Sequence, residues 1–411
     1  MTLNLLNPTL ALRNLGRHRG RTTSTLTAIV VGLVGLILLD GYVQYSMWGL
    51  KETLIHSGTG HLQVALHPAY FDEGDSDPFP FALPDSKKLV KELRRMPEVK
   101  DVLPTVNFAA VAGARGLRET IQVRAFPFDR AGNSLGFLTL VRGTNLTGPG
   151  GLAVGEGLAH KLGVGPGDSL ELLAVDRTGS VSTQSFPVTG VVSSGVAALD
   201  AVLVYLDLAD AAGLLGTDEV PQLTVYLERT EDTEAVAARL RASPPDHAPA
   251  GAVWRTWDDL SPSYEQANGS YQMVLGVSRI IVLIVALFSI SGTLALSIME
   301  RHRELGTLRA LGTRKTSLIA LLAWEGGFLG LAGAVLGTLA GLGLAGVLNL
   351  LGGLKMAAQP GMSHALSIYF QPDLGNLGVN AVLVTLAAGL GALVPGFWAV
   401  RRPATELLRS T

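Results

Sequence analysis

Apolar residues along this chain fall into two patterns, long unbroken runs and short alternating stretches, and their order sets out the architecture. Four runs reach the ~20 residues that a helix needs to cross a ~30 Å hydrocarbon layer. They are Thr22 to Tyr42, Met273 to Ile298, Leu318 to Leu350 and Leu377 to Val400. At ~1.5 Å per residue the third would measure about 50 Å, so it is expected to start along the inner interface, to tilt, or to break near its glycines. The spacing also predicts that Val43 to His56 and Leu260 to Tyr271 extend the first two helices beyond the membrane as a stalk.

Between these two helices lies a region, residues 43–272, of shorter periods. His61 to Leu66 alternates as a strand does; Asp85 can cap a helix whose Leu89, Val90, Leu93 and Met96 share one face; Val99 to Phe108 reads as a second strand. The same order returns in strand Leu223 to Leu227, helix Glu231 to Arg241 with Val236, Ala237 and Leu240 inward, and strand Ala252 to Trp257. Two β-α-β units so far apart describe one α/β subdomain, residues 57–112 and 216–258, interrupted by an insertion, residues 113–215. The insertion is strand-rich: Gly165-Pro166-Gly167-Asp168 suits a type II turn, and Ser169 to Val175 and Phe186 to Val192 read as strands. The fold class is therefore an α-helical membrane protein with four spanning helices and a large α/β extracytoplasmic domain.

Charge orients this layout. Residues 43–272 carry 18 Lys/Arg against 28 Asp/Glu, whereas the rest carries 14 against 6, so an acidic soluble part joins a basic membrane part. Arg13, Arg17, Arg19 and Arg21 precede the first run; Arg301, Arg303, Arg309, Arg314 and Lys315 separate the second and third; Arg401, Arg402 and Arg409 follow the fourth. By the positive-inside rule the amphipathic N-terminus (1–21), the 299–317 segment and the 401–411 tail are cytoplasmic, and residues 43–272 and the 351–376 loop are outside. A cleavable signal peptide is the rival for the first run, but Asp40-Gly-Tyr-Val-Gln-Tyr is a poor cleavage site, which favours an uncleaved anchor.

Catalytic chemistry is not evident. The chain has no cysteine, its eight histidines form no tight metal-ligand spacing, and no G-x-x-x-x-G-K-[ST] loop is present to split ATP. Gly190-Val-Val-Ser-Ser-Gly195 is not a G-x-S-x-G elbow and reads as a strand ending in a flexible turn. No metal site and no cofactor of the chain's own are expected.

Four sets of residues stand out. Glu300, Arg301, Arg303, Glu304 and Arg309 lie on an expected cytoplasmic continuation of the second helix, with Leu305, Leu308 and Leu311 as an apolar stripe and Gly312 as terminator. Gly326, Gly330, Gly333, Gly337 and Gly341 line one face of the third helix and imply close helix packing or a dimer seam. Leu36, Leu39, Tyr42, Tyr45, Met47 and Trp48 offer an apolar and aromatic surface at the outer interface, suited to acyl chains. Asp40, Arg279 and Glu325 are ionisable residues in or beside apolar spans and need partners; a direct Asp40–Arg279 ion pair is one expectation.

The segment from Glu300 through Lys315, followed by Trp324-Glu325-Gly326, closely resembles a signature of the MacB/FtsX-like ABC permease family. Ala11-Leu-Arg-Asn-Leu15 and the tail from Arg401 to Arg409 agree with it. Gly60-His-Leu-Gln-Val64, the Val154 to Val164 stretch before Gly167-Asp168, and Ser194-Gly195 with Asp200 and Tyr205 are more similar to the lipoprotein-releasing (Lol-type) branch. The resemblance implies a porter-like subdomain interrupted by a sabre-like one, and a non-catalytic permease dimer, homomeric or heteromeric, in the bacterial inner membrane. It implies separate ATPase subunits that carry ATP and Mg and dock on the 299–317 segment, with lipoprotein cargo, membrane lipids and a periplasmic chaperone as further partners and no nucleic acid. Export of other amphiphiles, regulation of a cell-wall hydrolase, and a sensory role are the competing readings.

Overall fold

A computed structural model describes residues 19–74, 77–131, 138–144, 147–310, 313–356 and 366–401. The amphipathic segment expected before residue 19 and the tail from residue 402 lie outside the described residues. The chain forms two compact units: a helical one built on residues up to Met47, Ala267–Lys355 and residues from Ser367, and a second one on Trp48–Gln266 with Met356–Leu366.

The chain enters through α1 (Arg19–Leu54), whose 36 residues make ~54 Å of uninterrupted helix. One wide π-type turn, Ile55–Thr59, ends it, with Gly58 at φ 128° and Gly60 at φ 68° supplying backbone that other residues rarely adopt. The second unit then runs β1 (Leu62–Ala65), α2 (Ser86–Leu93), β2 (Val99–Ala114) and β3 (Leu117–Phe126). It continues with β4 (Thr139–Gly143), β5 (Leu152–Gly155), α3 (Glu156–Leu162), β6 (Ser169–Val175), β7 (Val181–Ser193), β8 (Leu203–Asp207), α4 (Leu208–Leu215), β9 (Gln222–Leu227), α5 (Thr233–Ala242) and β10 (Val253–Thr256).

Four strands pair antiparallel in the order β10-β1-β9-β2, so β1-α2-β2 and β9-α5-β10 are two interleaved split β-α-β units, the ferredoxin-like arrangement. Leu89, Val90 and Leu93 of α2, and Val236, Ala237 and Leu240 of α5, bury against this sheet. Strand β2 does not stop there. Its first half, Val99 to Thr105, pairs with β9, and its second half, Val106 to Ala114, pairs with β3. The remaining pairings, β3-β8-β5-β7-β6 and back to β2, close a ring of six strands, which leaves none of its own edges open.

The expected subdomain boundary at residue 113 therefore falls inside one strand, and the change of partner comes at Thr105/Val106. Nothing in the alternation announces it, because β2 keeps a buried face in both sheets. The turn that ends β2 is Arg115-Gly116, both at positive φ as a two-residue hairpin requires. At Gly165-Pro166-Gly167-Asp168 the Asp168 N–H donates to Gly165 O (3.0 Å) and Gly167 has φ 92°, the type II geometry that Pro and Gly specify.

Two local expectations are corrected. Asp85 does not cap α2 with its side chain; it sits at φ 51° and pairs with Lys88 Nζ at 2.8 Å. The turn after Val192 is not loose either. Asp200, 3% exposed, accepts hydrogen bonds from Ser193 Oγ (2.6 Å) and from Ser194 N and Oγ (both 2.7 Å), and this buried carboxylate fixes the chain there.

The helical unit is completed by α6 (Pro262–Glu300), α7 (His302–Ala310), α8 (Lys315–Leu350) and α9 (Leu374–Arg401). Among the described residues four helices, α1, α6, α8 and α9, are long and apolar enough to cross a membrane. Their shared core is Ile29 and Leu33 of α1, Ala286, Ile290 and Leu294 of α6, Ala334 of α8, and Val384, Ala388 and Ala392 of α9. Helix α8 is unbroken over 36 residues, so its glycines do not interrupt it.

Where α1 ends in the second unit, a directed chain of hydrogen bonds fixes the tautomer of His61. The Leu227 N–H donates to Nδ1 (3.1 Å), so Nε2–H donates to Thr230 Oγ (3.1 Å), whose hydroxyl donates to Glu52 (3.0 Å). Burial disfavours the imidazolium and lowers the His61 pKa to about 4, with the like charge of His56 a smaller cause. The unfolded chain binds this proton near pH 6.5, and the folded chain refuses it until about pH 4. The stability contributed by the neutral ring is thus full above pH 6.5 and lost as pH falls to 4, about 3 kcal/mol in all. Thermal unfolding of the full chain in detergent should show this acid limb, and His61→Gln should flatten it; an identical pH dependence in the variant would contradict the assignment.

Candidate functional site

The segment between the second and third spanning helices is a short helix of its own. A one-residue break at Arg301 separates α6 from α7, so α7 is not the straight continuation expected. At the break the Arg301 guanidinium reaches Glu304 Oε2 (Nε, 3.0 Å) and Glu325 Oε1 on α8 (Nη1, 3.3 Å). Glu325 is 2% exposed, and a buried carboxylate in this setting is tolerated only with such a partner.

The apolar stripe faces inward. Leu305 is buried with Ile298, Leu318 and Leu322, and Leu308 is partly buried against the same cluster. The stripe expected to anchor a partner protein thus packs Leu305, and Leu308 in part, against residues of its own chain. The outward face is Glu300, Arg303, Glu304, Thr307 and Ala310, all exposed, at the three- and four-residue spacing of one helical side. Arg309 is half-buried. Leu311 and Gly312 lie outside the described residues.

The five glycines of α8 are divided between two neighbours. A Cβ on Gly326 would stand 2.7 Å from Ala388 O and one on Gly330 2.3 Å from Ala388 Cβ, both on α9. On Gly333, Gly337 and Gly341 it would meet Ile29, Leu33 and Ile37 of α1 at 2.7, 2.9 and 2.8 Å. The stripe is thus occupied inside this chain, where it lets three backbones approach closely.

Asp40 and Arg279 do not form a direct ion pair. Asn376 stands between them: its Nδ2 donates to Asp40 Oδ1 (2.9 Å), and its Oδ1 accepts from Arg279 Nη2 (3.3 Å). Asp40 Oδ2 also accepts from Asp373 N (3.1 Å). Nearby, Asn349 at the end of α8 exchanges two bonds with the Phe370 backbone (2.9 and 2.8 Å), and Gln371 N donates to Gly41 O (3.1 Å). Residues 370–376 therefore gather one end of all four long apolar helices. Sequence reading missed Asn376 and Asn349 because a neutral amide in an apolar run stands out far less than a charge.

The expected outer-interface surface is only partly exposed. Leu36 (4%) and Met47 (6%) are buried, which removes them from it. Leu39, Tyr42 and Tyr45 are half-buried, with Tyr45 packed edge-on against Tyr369 at 5.5 Å, and Trp48 is 45% exposed. Among the described residues no group of three His, Asp or Glu side chains is arranged to hold a metal ion.

Four helices long and apolar enough to cross a membrane, a β-rich unit between the first two and a charged helix tied to the third make up the architecture of the described residues. A MacB-like periplasmic core domain matches residues 22–243, and an FtsX-like permease C-terminal domain matches residues 277–404. The chain belongs to the MacB/FtsX-like ABC permease family.

Among its relatives, the lipoprotein-releasing system transmembrane protein LolC of Neisseria meningitidis is 27% identical over 63% of this chain and 64% of its own length. LolE of Haemophilus influenzae is 26% identical over 63% of this chain and 64% of its own. The macrolide export ATP-binding/permease protein MacB of Agrobacterium fabrum is 23% identical over 84% of this chain and 53% of its own. The chain thus spans less than two thirds of the length of these relatives.

The Arg301–Glu325 tie makes a direct stability prediction. Arg301→Ala takes the guanidinium away from a buried carboxylate and should cost about 3–5 kcal/mol, whereas Glu304→Ala, at the exposed end of the same network, should cost about 1 kcal/mol or less. Unfolding in detergent measures both; equal, small losses would show that Glu325 does not depend on Arg301.

Proposed function

We propose that this chain is the non-catalytic membrane subunit of an ABC transporter, driven by a separate ATPase that carries ATP and Mg and docks on the outward face of α7. The observation that carries this reading is the seating of α7. Its apolar side is held to α8 by Leu305 and its first turn is tied through Arg301 to Glu325, so a push on its charged side reaches two spanning helices rather than being absorbed by a loose loop. The basic flanks of the apolar runs support cytoplasmic termini and a periplasmic second unit. The permease works as a dimer, the split β-α-β sheet serves as the porter-like part, and the six-stranded ring serves as the sabre-like part.

The proposed cargo is a lipid-anchored protein drawn from the outer leaflet for delivery to a periplasmic chaperone. Support comes from Tyr42, Tyr45 and Trp48, which repeat every three residues along α1 beyond its apolar core, and from the Lol-type relatives. Export of a smaller amphiphile is the second reading, favoured by the larger share of this chain that aligns with the macrolide exporter.

Two measurements test this. Arg303→Glu combined with Thr307→Arg should lower ATPase copurification roughly tenfold while leaving thermal stability within about 0.5 kcal/mol, since both positions are exposed; undiminished copurification would remove α7 as the docking face. A photo-crosslinker at Trp48 should capture a lipoprotein in the nucleotide-free complex and release it when ATP binds. Crosslinks to bulk lipid alone in both states would leave amphiphile export ahead.

A further inference from the structure

In α9, Pro395 lacks the N–H that would bond to the carbonyl of Gly391, four residues earlier. That orphaned carbonyl is taken by a side chain from another helix: Ser291 Oγ of α6 donates to Gly391 O. Gly391 is also a point of close approach, since a Cβ there would lie 2.7 Å from Leu287 O. Helices α6 and α9 are thus pinned together at one level by the residue that interrupts one of them.

Beyond this pin, towards α7, the two helices border an open site. Gly292, Ala295 and Met299 of α6 face Val394, Trp398 and Ala399 of α9 across an open-sided apolar cavity of about 420 Å³. The cavity is open on one side, where Met299, Val394 and Trp398 are exposed, so its apolar lining is not packed against protein. The Ser291-Gly292 pair is a sequence at which helices bend, and Gly292 has no atom within 4 Å of where a Cβ would stand. The inner third of α6 leads directly into α7, while the outer ends of the helices are held by residues 370–376.

We propose that the Ser291–Gly391 contact is a hinge, and that the inner third of α6, Gly292 to Glu300, swings about it to close the cavity against α9. Motion at α7 is thereby converted into a rotation within the bundle instead of a rigid translation. For its purpose the hinge rests on the reading of the chain as a mechanically driven permease; its existence does not.

Because the chain has no cysteine, paired spin labels at introduced cysteines report single distances. An inner pair at Met299 and Phe397 and a reference pair at Ile284 and Leu386, all exposed positions, would be measured in the full chain in lipid nanodiscs. The inner distribution should be roughly twice as wide as the reference one, as expected of a region with fewer packed contacts. Gly292→Leu, which fills the cavity from open space, should narrow it and shift it to longer distance while the reference pair stays put. Ser291→Ala should widen the reference pair as well, because the pin is lost.

A sharp inner distribution, such as a permanently seated acyl chain would give, overturns the proposal, and so does indifference to Gly292→Leu. If the distances behave as expected yet Gly292→Leu leaves ATP-driven transport intact, the hinge stands and the mechanical reading of the function fails.

Discussion

Inside a bilayer a polar group has no water to fall back on, and that constraint organises this bundle more than apolar packing does. Lipid is as apolar as leucine, so burying leucine between helices contributes little specificity; each buried polar group, by contrast, must find its partner or leave the span. Three ties meet that demand at three depths. Asp40, Asn376 and Arg279 join α1, α9 and α6 at the outer end; Ser291 and Gly391 pin α6 to α9 within the bundle; Arg301 and Glu325 fasten the start of α7 to α8 at the inner end. The glycines of α8 then permit the close backbone approach that these ties require, with Gly330 against Ala388 and Gly337 against Leu33.

The ties also distribute stiffness. One end of the bundle shares one short segment, the middle is pinned at a single level, and towards the other end α6 and α9 border an open-sided apolar cavity. The proposed hinge puts the compliance of the bundle at that end, next to the helix that carries the exposed charges. In the second unit the distribution is different. Strand β2 belongs to both the split β-α-β sheet and the six-stranded ring, so a displacement of one sheet is passed to the other through continuous backbone.

Much of the fold was legible because it rests on period and length. Runs of twenty or more apolar residues, the inward faces of α2 and α5, and the Pro-Gly turn at 166–167 are each decided within a few residues of chain, and the structure has them where the sequence puts them. The pairing partners were not legible in the same way. Asp40 and Arg279 were visible as needing partners, but the residue that serves both lies about 100 residues beyond Arg279 and carries no charge. The stripe of Leu305 and Leu308 was visible as apolar, yet amphipathicity does not say whether a helix faces its own chain or another, and here it faces its own. The path of β2 through two sheets was hidden because one strand keeps a single alternation whichever sheet it serves.

The central claim is that ATP hydrolysed by a partner drives cargo out of the membrane through this chain. It is tested most directly by reconstituting the chain and its cognate ATPase in proteoliposomes with a fluorescent lipid-anchored protein and measuring its appearance in the soluble phase on a periplasmic acceptor. The account predicts release that needs ATP hydrolysis, while the same protein lacking its acyl chains is neither bound nor stimulatory. Brisk ATP turnover with the lipid-anchored protein left in the bilayer, or equal handling of the acylated and unacylated forms, would contradict it.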